Sequence, residues 1–330
     1  MSFSICPSNL ALVNAWNQFV DQANGGTLFH RLDFLAYHGE RFAANEHHLV
    51  IYKGQSLYGV MPMAIFEQEG RRVAKSPYGG SYGGPVFAQP QLYQDSLDII
   101  EALLVYLKLQ AVNEFILTLP IAGCYTRFCE TFRLALLERG FQCVNRDISS
   151  VVDLAHTTPV AETLTSRARN MARKALKLGL EVRPRAPLAD FWSVMEKTFA
   201  KHAAKATHTS AEFQWLQKHH PERVYADVAY AKGQPVGGIG YFVVNQRVNS
   251  SFYFCQDPEQ QQTQALSLLL CQGLEQAQQH GFRWFDFGTS SVNMKGRSNI
   301  FSFKESFGAV GQFRETYQWR AANQNGKSNC

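Results

Sequence analysis

The chain has 330 residues, 45% of them hydrophobic, and a formal net charge of +5. That apolar content excludes a disordered chain and suffices for two domain-sized cores. The mild positive charge favours anionic ligands, phosphorylated metabolites or nucleic acid, without requiring them. Seven cysteines, odd in number and scattered except for Cys124 and Cys129, point to core thiols in a reducing compartment. Neither they nor the His47-His48 and His219-His220 pairs offer a zinc spacing, so no metal is expected. The N-terminus lacks a basic region followed by an apolar core, and no apolar stretch reaches the roughly 18 residues a membrane helix needs. The chain therefore reads as cytoplasmic, without a transmembrane segment.

Leu12, Ala15, Trp16, Phe19, Val20 and Ala23 recur at helical spacing and predict a helix over Ala11–Asn24, leaving at Gly25-Gly26. A second short helix is expected over Asp33–Arg41. His48–Tyr52 and Leu57–Phe66 read as strands of a hairpin turning at Lys53-Gly54-Gln55. The run Gly79-Gly80-Ser81-Tyr82-Gly83-Gly84 is neither a P-loop, which ends Gly-Lys-Ser/Thr into a helix, nor a dinucleotide loop, because Pro85-Val86-Phe87 continues as strand. It implies close backbone approach, by other strands or by a ligand. A helix over Leu92–Gln110, a strand over Phe115–Leu119, a helix over Arg127–Arg139 and strands at Gln142–Val144 and Ile148–Leu154 follow. His156-Thr157-Thr158-Pro159 reads as a linker.

The second half repeats the first. Phe34 and Phe213, Lys53-Gly54-Gln55 and Lys232-Gly233-Gln234, and Gly59 and Gly238 stand at one common offset, which implies duplication of an α/β module. The expected modules are residues 1–155 and 156–330, each a mixed sheet flanked by helices, with the last strand, Gln312–Arg320, allowed to pack back on the first. The Gln- and Asn-rich tail from Ala321 is expected to fray.

Three segments carry candidate chemistry. On a helix, Arg169, Arg173 and Lys177 form one basic stripe beside Asn170, with no acidic residue from Arg167 to Leu180; the stripe is either a solvated face or an anion site. Pro235–Phe242 places Gly237, Gly238 and Gly240 inside a strand, for a ligand backbone or for close helix packing. Tyr253, between Phe252 and Phe254, belongs to a neighbouring aromatic wall. Finally, Phe282–Phe287 reads as a buried strand carrying Asp286, and Phe303–Gly308 as a tight aromatic-anchored turn presenting Lys304. The two charges form either a structural ion pair or a functional site.

Taken together, Arg169-Asn170-x-x-Arg173-Lys174-Ala175-x-Lys177-x-Gly179-Leu180-x-Val182, the glycine-rich strand, Gly281-Phe282-x-x-Phe285-Asp286-Phe287-Gly288 and Phe303-Lys304-Glu305-x-Phe307-Gly308 resemble the FemAB-like branch of the GNAT acyltransferases. That branch includes peptidoglycan bridge aminoacyltransferases. The resemblance spans nearly the whole chain and implies two tandem GNAT-like modules of the α/β (α+β) class. It implies transfer of an acyl or aminoacyl group to an amine of a cell-envelope precursor held between the modules, with no tightly bound cofactor. The stretch Asp257–Thr263 departs from acetyl-CoA-dependent relatives in lacking their glycine-rich pyrophosphate loop, so an aminoacyl-tRNA donor is expected beside acyl-CoA. On this reading Lys304 and Asp286 are catalytic. Arg169, Asn170, Arg173, Lys177, Gly238, Tyr253 and Tyr317 bind substrate, and the acceptor is a phosphorylated small molecule such as a nucleotide-linked sugar or peptide precursor. Two other readings stay open: a tRNA-binding module, and a non-catalytic protein of the same fold.

Overall fold

A computed structural model of the protein describes residues 2–8, 13–156, 158–202 and 206–321. The start of the first expected helix, Thr157 of the expected linker and the tail from residue 322 on lie outside the described residues. By its contacts the chain divides into two units, one formed by the residues up to Arg146 with those from Arg314 on, the other by Asp147–Phe313.

The first unit runs through β1 (Phe3–Pro7), α1 (Val13–Gln22), α2 (Leu32–Leu35), α3 (Glu40–Ala43), β2 (Leu49–Lys53), β3 (Ser56–Met61), β4 (Ala64–Gln68), β5 (Arg71–Ser76), β6 (Val86–Phe87), α4 (Tyr93–Leu109), β7 (Glu114–Thr118), α5 (Thr131–Glu138) and the start of β8 (Gln142–Asp153). The second continues with α6 (Val160–Thr163), α7 (Ser166–Lys177), β9 (Glu181–Arg183), α8 (Leu188–His202), α9 (Ser210–His219), β10 (Val224–Ala231), β11 (Gln234–Val243), β12 (Val248–Gln256), α10 (Ala265–Gln279), β13 (Trp284–Thr289), the small hairpin of β14 (Ser291–Val292) and β15 (Lys295–Gly296), α11 (Ser298–Glu305) and the start of β16 (Val310–Arg320).

In the first unit β1, β2, β3 and β6 pair antiparallel in that order. Beside them β4 pairs antiparallel with β5, β5 parallel with β7, and Thr316–Arg320 of β16 antiparallel with β7. Leu97, Ile100, Leu103, Leu104 and Leu107 line one face of α4 at helical spacing and pack with Phe115 and Leu117 of β7. Each fully buried leucine contributes about 1.5–3 kcal/mol of hydrophobic stabilisation. In the second unit β8, β13, β12, β11, β10 and β9 follow one another; β12 and β13 are parallel and the other pairs antiparallel. Its core joins Ala168, Ala172 and Ala175 of α7 to Leu268, Leu269 and Leu274 of α10 and Phe285 and Phe287 of β13.

Duplication is visible in the two leading hairpins. Each has a two-residue turn and one residue passed over in its second strand, Tyr58 between Gly59 and Leu57 and Val236 between Gly237 and Pro235. By strand pairing Gly59 therefore corresponds to Gly237, one residue short of the offset that matches the Lys-Gly-Gln turns.

Local expectations shift where single residues intervene. The helix expected over Asp33–Arg41 is broken by Gly39, at φ 55°. The strand expected over Leu57–Phe66 becomes β3 and β4, parted at Pro62, which lacks the N–H a continuing ladder would use. Conversely the two strands around Gln142–Leu154 are one, β8. The glycine-rich run after β5 serves protein packing: a Cβ on Gly83 would lie 2.3 Å from the Pro77 backbone, and one on Gly79 would meet the His38 ring.

On β10, Asp227 is 2% exposed and accepts the Arg185 N–H at 2.9 Å; burial lifts its carboxyl to about 6. Among the described residues no helix is long and apolar enough to cross a membrane, and no group of His, Cys, Asp and Glu could hold a metal ion.

Candidate functional site

The second unit carries a cleft of about 540 Å³ between α7, the start of α10 and α11, a volume within the usual range for small-molecule sites. Its walls follow from local sequence. Thr165 caps α7, its Oγ1 accepting the Ala168 N–H at 3.3 Å and donating to the Ser306 carbonyl at 2.9 Å, so the start of α7 is tied to the end of α11. Small residues Ala168, Ala172 and Ala175 bury one face of α7. Arg167, Met171 and Lys174, at i, i+4 and i+7, then stand together on a neighbouring face and border the cleft.

Opposite them α10 begins after Gln264, which is left-handed (φ 59°, ψ 33°) and gives its helix no side-chain cap. Gln264 and Ser267 both line the cleft. Unclaimed N–H groups and the positive end of the helix dipole favour an anion at such a start. Asn299, Ser302 and Ser306 of the α11 region add hydroxyl and amide groups, and Phe303 and Phe307 an aromatic wall. Among the described residues no acidic side chain borders the cleft, which suits a ligand with an anionic part and an apolar part.

The sequence-derived candidates fall elsewhere around this cleft. Arg169, two residues from Arg167 and so about 200° round the helix, donates to the carbonyls of Glu162 and Leu164 at 3.1 and 2.7 Å and holds the α6–α7 corner. Arg173 reaches Asn170 Oδ1 at 3.4 Å, and Arg173 and Lys177 face solvent. The basic stripe is real, but Arg167 and Lys174, which the stripe passed over, are the cations on the cleft wall. Their seven-residue spacing beside Met171 was the available signal.

Gly237 and Gly238 answer the second alternative offered for the glycine strand, close helix packing. A Cβ on Gly237 would lie 2.8 Å from that of Ala265 on α10, and one on Gly238 would lie 2.7 Å from the Phe191 ring of α8. Tyr253 is 6% exposed; its hydroxyl accepts the His208 N–H at 3.0 Å and meets His208 Nδ1 at 2.7 Å. Tyr317 belongs to the first unit, is 2% exposed and donates to Glu315 at 2.9 Å. None of these four residues borders the cleft.

Asp286 is buried on β13 as expected, and its Oδ1 accepts from Ser149 at 2.7 Å and from the Gly288 N–H at 2.8 Å. Lys304 sits in the last turn of α11 and not on the expected tight turn, because Ser298–Glu305 forms a helix before Gly308 leaves it. The side chain is 5% exposed, and Nζ donates to the Gly288 and Thr289 carbonyls at 2.8 Å each. Burial lowers its ammonium to about 8, against an opposing pull from the Asp286 charge. Lys304 thus fixes the helix whose Phe303, Ser306 and Phe307 border the cleft, without bordering it itself. At the same place β12 and β13 pair only from Val248↔Trp284 to Ser250↔Asp286, and the Ser250 and Ser251 hydroxyls donate to the Asp286 carbonyl at 3.1 and 3.3 Å. Beyond that fork the two strands run on unpaired with each other.

Residues 164–296 match the family described as an acetyltransferase (GNAT) domain. No curated protein matches the chain. Among solved structures, FemX is 11% identical over 96% of this chain and 97% of its own, with a TM-score of 0.72. L-PGS from Bacillus licheniformis is 12% identical over 94% and 91%, with a TM-score of 0.57. A tandem GNAT protein from the clavulanic acid biosynthesis pathway is 13% identical over 97% and 98%, with a TM-score of 0.56.

Proposed function

We infer that the chain is an acyltransferase of the FemAB-like kind, a reading supported by the acetyltransferase (GNAT) match of its residues 164–296 and by its likeness in fold to FemX and to a tandem GNAT protein. We propose that it transfers an acyl or aminoacyl group to an amine of a phosphorylated cell-envelope precursor, and that the cleft of the second unit receives the phosphate-bearing part of the donor. The observation that carries this reading is the convergence of Arg167, Lys174 and the uncapped start of α10 on one cleft whose described lining holds no acidic side chain. An envelope acceptor is supported by the fold shared with FemX and L-PGS. The cytoplasmic side of the envelope is the setting this assigns.

Such a reaction needs a neutral amine, a donor group for the oxyanion and alignment of the two reactants. The amine attacks the donor carbonyl, the tetrahedral oxyanion collapses, and the thiol or ribose hydroxyl leaves with a proton. Backbone N–H groups along the β12–β13 fork are the group we assign to the oxyanion. We assign Lys304 and Asp286 to holding that fork and α11 in place. Arg169, Asn170, Arg173 and Lys177 supply a second basic surface, suited to the phosphates of a large donor such as aminoacyl-tRNA.

Titration of the protein with acetyl-CoA and, separately, with aminoacyl-tRNA tests the reading, followed by mass spectrometry of phosphorylated amine acceptors incubated with whichever donor binds. Saturable binding that Arg167→Glu with Lys174→Glu abolishes, together with an acylated product, is expected. Binding without any product would favour the non-catalytic alternative, and undiminished binding by the double variant would reject the cleft as donor site.

A further inference from the structure

The β14–β15 hairpin breaks an ordinary rule of turns. Its loop, Asn293-Met294, has positive φ at both positions, 51° and 61°, a geometry for which asparagine followed by glycine is the favoured choice. Methionine at the second position carries strain that glycine would relieve, so the turn itself does not call for it. Packing does not use it either, since Met294 is 61% and Val292 43% exposed. The hairpin is nonetheless firmly anchored. Buried Asp147 accepts from the Ser291 hydroxyl at 2.7 Å and from the Met294 N–H at 3.0 Å, and Ser291 Oγ accepts the Ile148 N–H at 2.8 Å. Every residue from Val292 to Asn299 is exposed, Lys295 and Arg297 among them. No acidic residue occurs between Phe287 and Lys304.

We propose that this hairpin docks the protein on an anionic lipid surface, with Val292 and Met294 entering the headgroup layer while Lys295 and Arg297 meet lipid phosphates. Charge complementarity selects this occupant: a rigid apolar tip whose segment exposes only the cations Lys295 and Arg297, the anchoring Asp147 being buried, matches an anionic bilayer, where two side chains gain by simple immersion. Each cation near such a surface strengthens association roughly fivefold, so the docking is reversible and weakened by salt. Arg297 immediately precedes α11, and Asn299, Ser302 and Phe303 of that helix border the cleft. The docked hairpin therefore holds the cleft wall close to the membrane.

Cosedimentation of the whole chain with phosphatidylcholine vesicles, with and without phosphatidylglycerol, reads the association without reference to catalysis. Pelleting only with the anionic vesicles is expected, and Met294→Gly, which relaxes the turn and preserves the fold, lowers partitioning roughly tenfold. Lys295→Glu with Arg297→Glu abolishes it. Absence of pelleting, equal pelleting with neutral vesicles, or unchanged pelleting of Met294→Gly overturns the proposal. A lipid-free dimer that Met294→Gly dissolves also overturns it, assigning the tip to a second copy of the chain. Donor binding in the cleft is measured apart, so failure of docking and failure of the transferase reading are told apart.

Discussion

Lys304 donates from Nζ to the carbonyl oxygen of Gly288 at 2.8 Å, which joins the last turn of α11 to the end of β13. The amine gains this anchor at the cost of losing water, and burial brings it from 10.5 to about 8. Between those two values the unfolded chain holds a proton that the folded chain has released. Stability from this group therefore rises with pH across that window and is flat on either side. The increment is about 3 kcal/mol at most. Urea denaturation of the wild type and Lys304→Met at stepped pH should show the wild type gaining relative to the variant from about pH 8 to 10.5. A pH-independent difference would show that the amine is not desolvated.

Arg167 and Lys174 are expected to matter for donor binding where Arg173 and Lys177 matter little for a compact donor. Charge-assisted hydrogen bonds to phosphate contribute about 1.5–3 kcal/mol each, so Arg167→Ala should weaken a compact phosphorylated donor by roughly tenfold or more. Calorimetric titration of the Arg167→Ala and Arg173→Ala variants compares the two faces of α7. Equal losses would place the anion across the whole helix surface.

Gly238→Ala should destabilise the protein by about 1–3 kcal/mol through overpacking, because the added methyl would lie 2.7 Å from Phe191 and 3.1 Å from Cys255 Sγ. The urea midpoint reports this directly. The double variant Gly238→Ala, Phe191→Leu should recover part of the loss, since the shorter side chain vacates the contested space; no recovery would place the strain elsewhere.

Asp227 gives a pH dependence of opposite sign to Lys304. Burial raises its carboxyl from 3.8 to about 6, so across that interval the folded chain keeps a proton the unfolded chain has lost. Stability from this group is highest below pH 3.8 and falls as pH rises through about 6. Asp227→Asn should remove that decline, a difference of about 3 kcal/mol at most over the whole window and about 1.4 kcal/mol between pH 5 and 7, read by denaturation at those two pH values against the wild type. Parallel curves would mean the carboxylate is better compensated than its burial implies.

Features written into short-range pattern were legible in the sequence. A single carboxylate among Phe282, Trp284, Phe285 and Phe287 marked a buried strand; of the apolar face that spacing gives α7, Ala168, Met171, Ala172, Ala175 and Leu176, the three alanines are buried while Met171 borders the cleft and Leu176 is exposed. What the pattern did not carry was which neighbour fills a given space. Gly238 is explained by Phe191, distant in sequence, and beyond their spacing around Met171 it is the resting place of α10 and α11 that sets Arg167 and Lys174 apart from Arg169 and Arg173. Lys304 was misplaced for a local reason. Phe303, Phe307 and Gly308 read as a turn, while the helix before them starts at Ser298 without strong apolar spacing.

The pairing of Thr316–Arg320 with β7 bears on how the protein is made. Tyr317 and Trp319 belong to the core of the first unit, yet they leave the ribosome after every residue of the second. The earlier-synthesised half must wait with one flank of β7 bare while the later half gathers all its own chain, reversing the usual N-to-C order of folding during translation. Nascent chains halted before residue 314 should yield a protease-resistant second unit and a first unit that remains open to digestion.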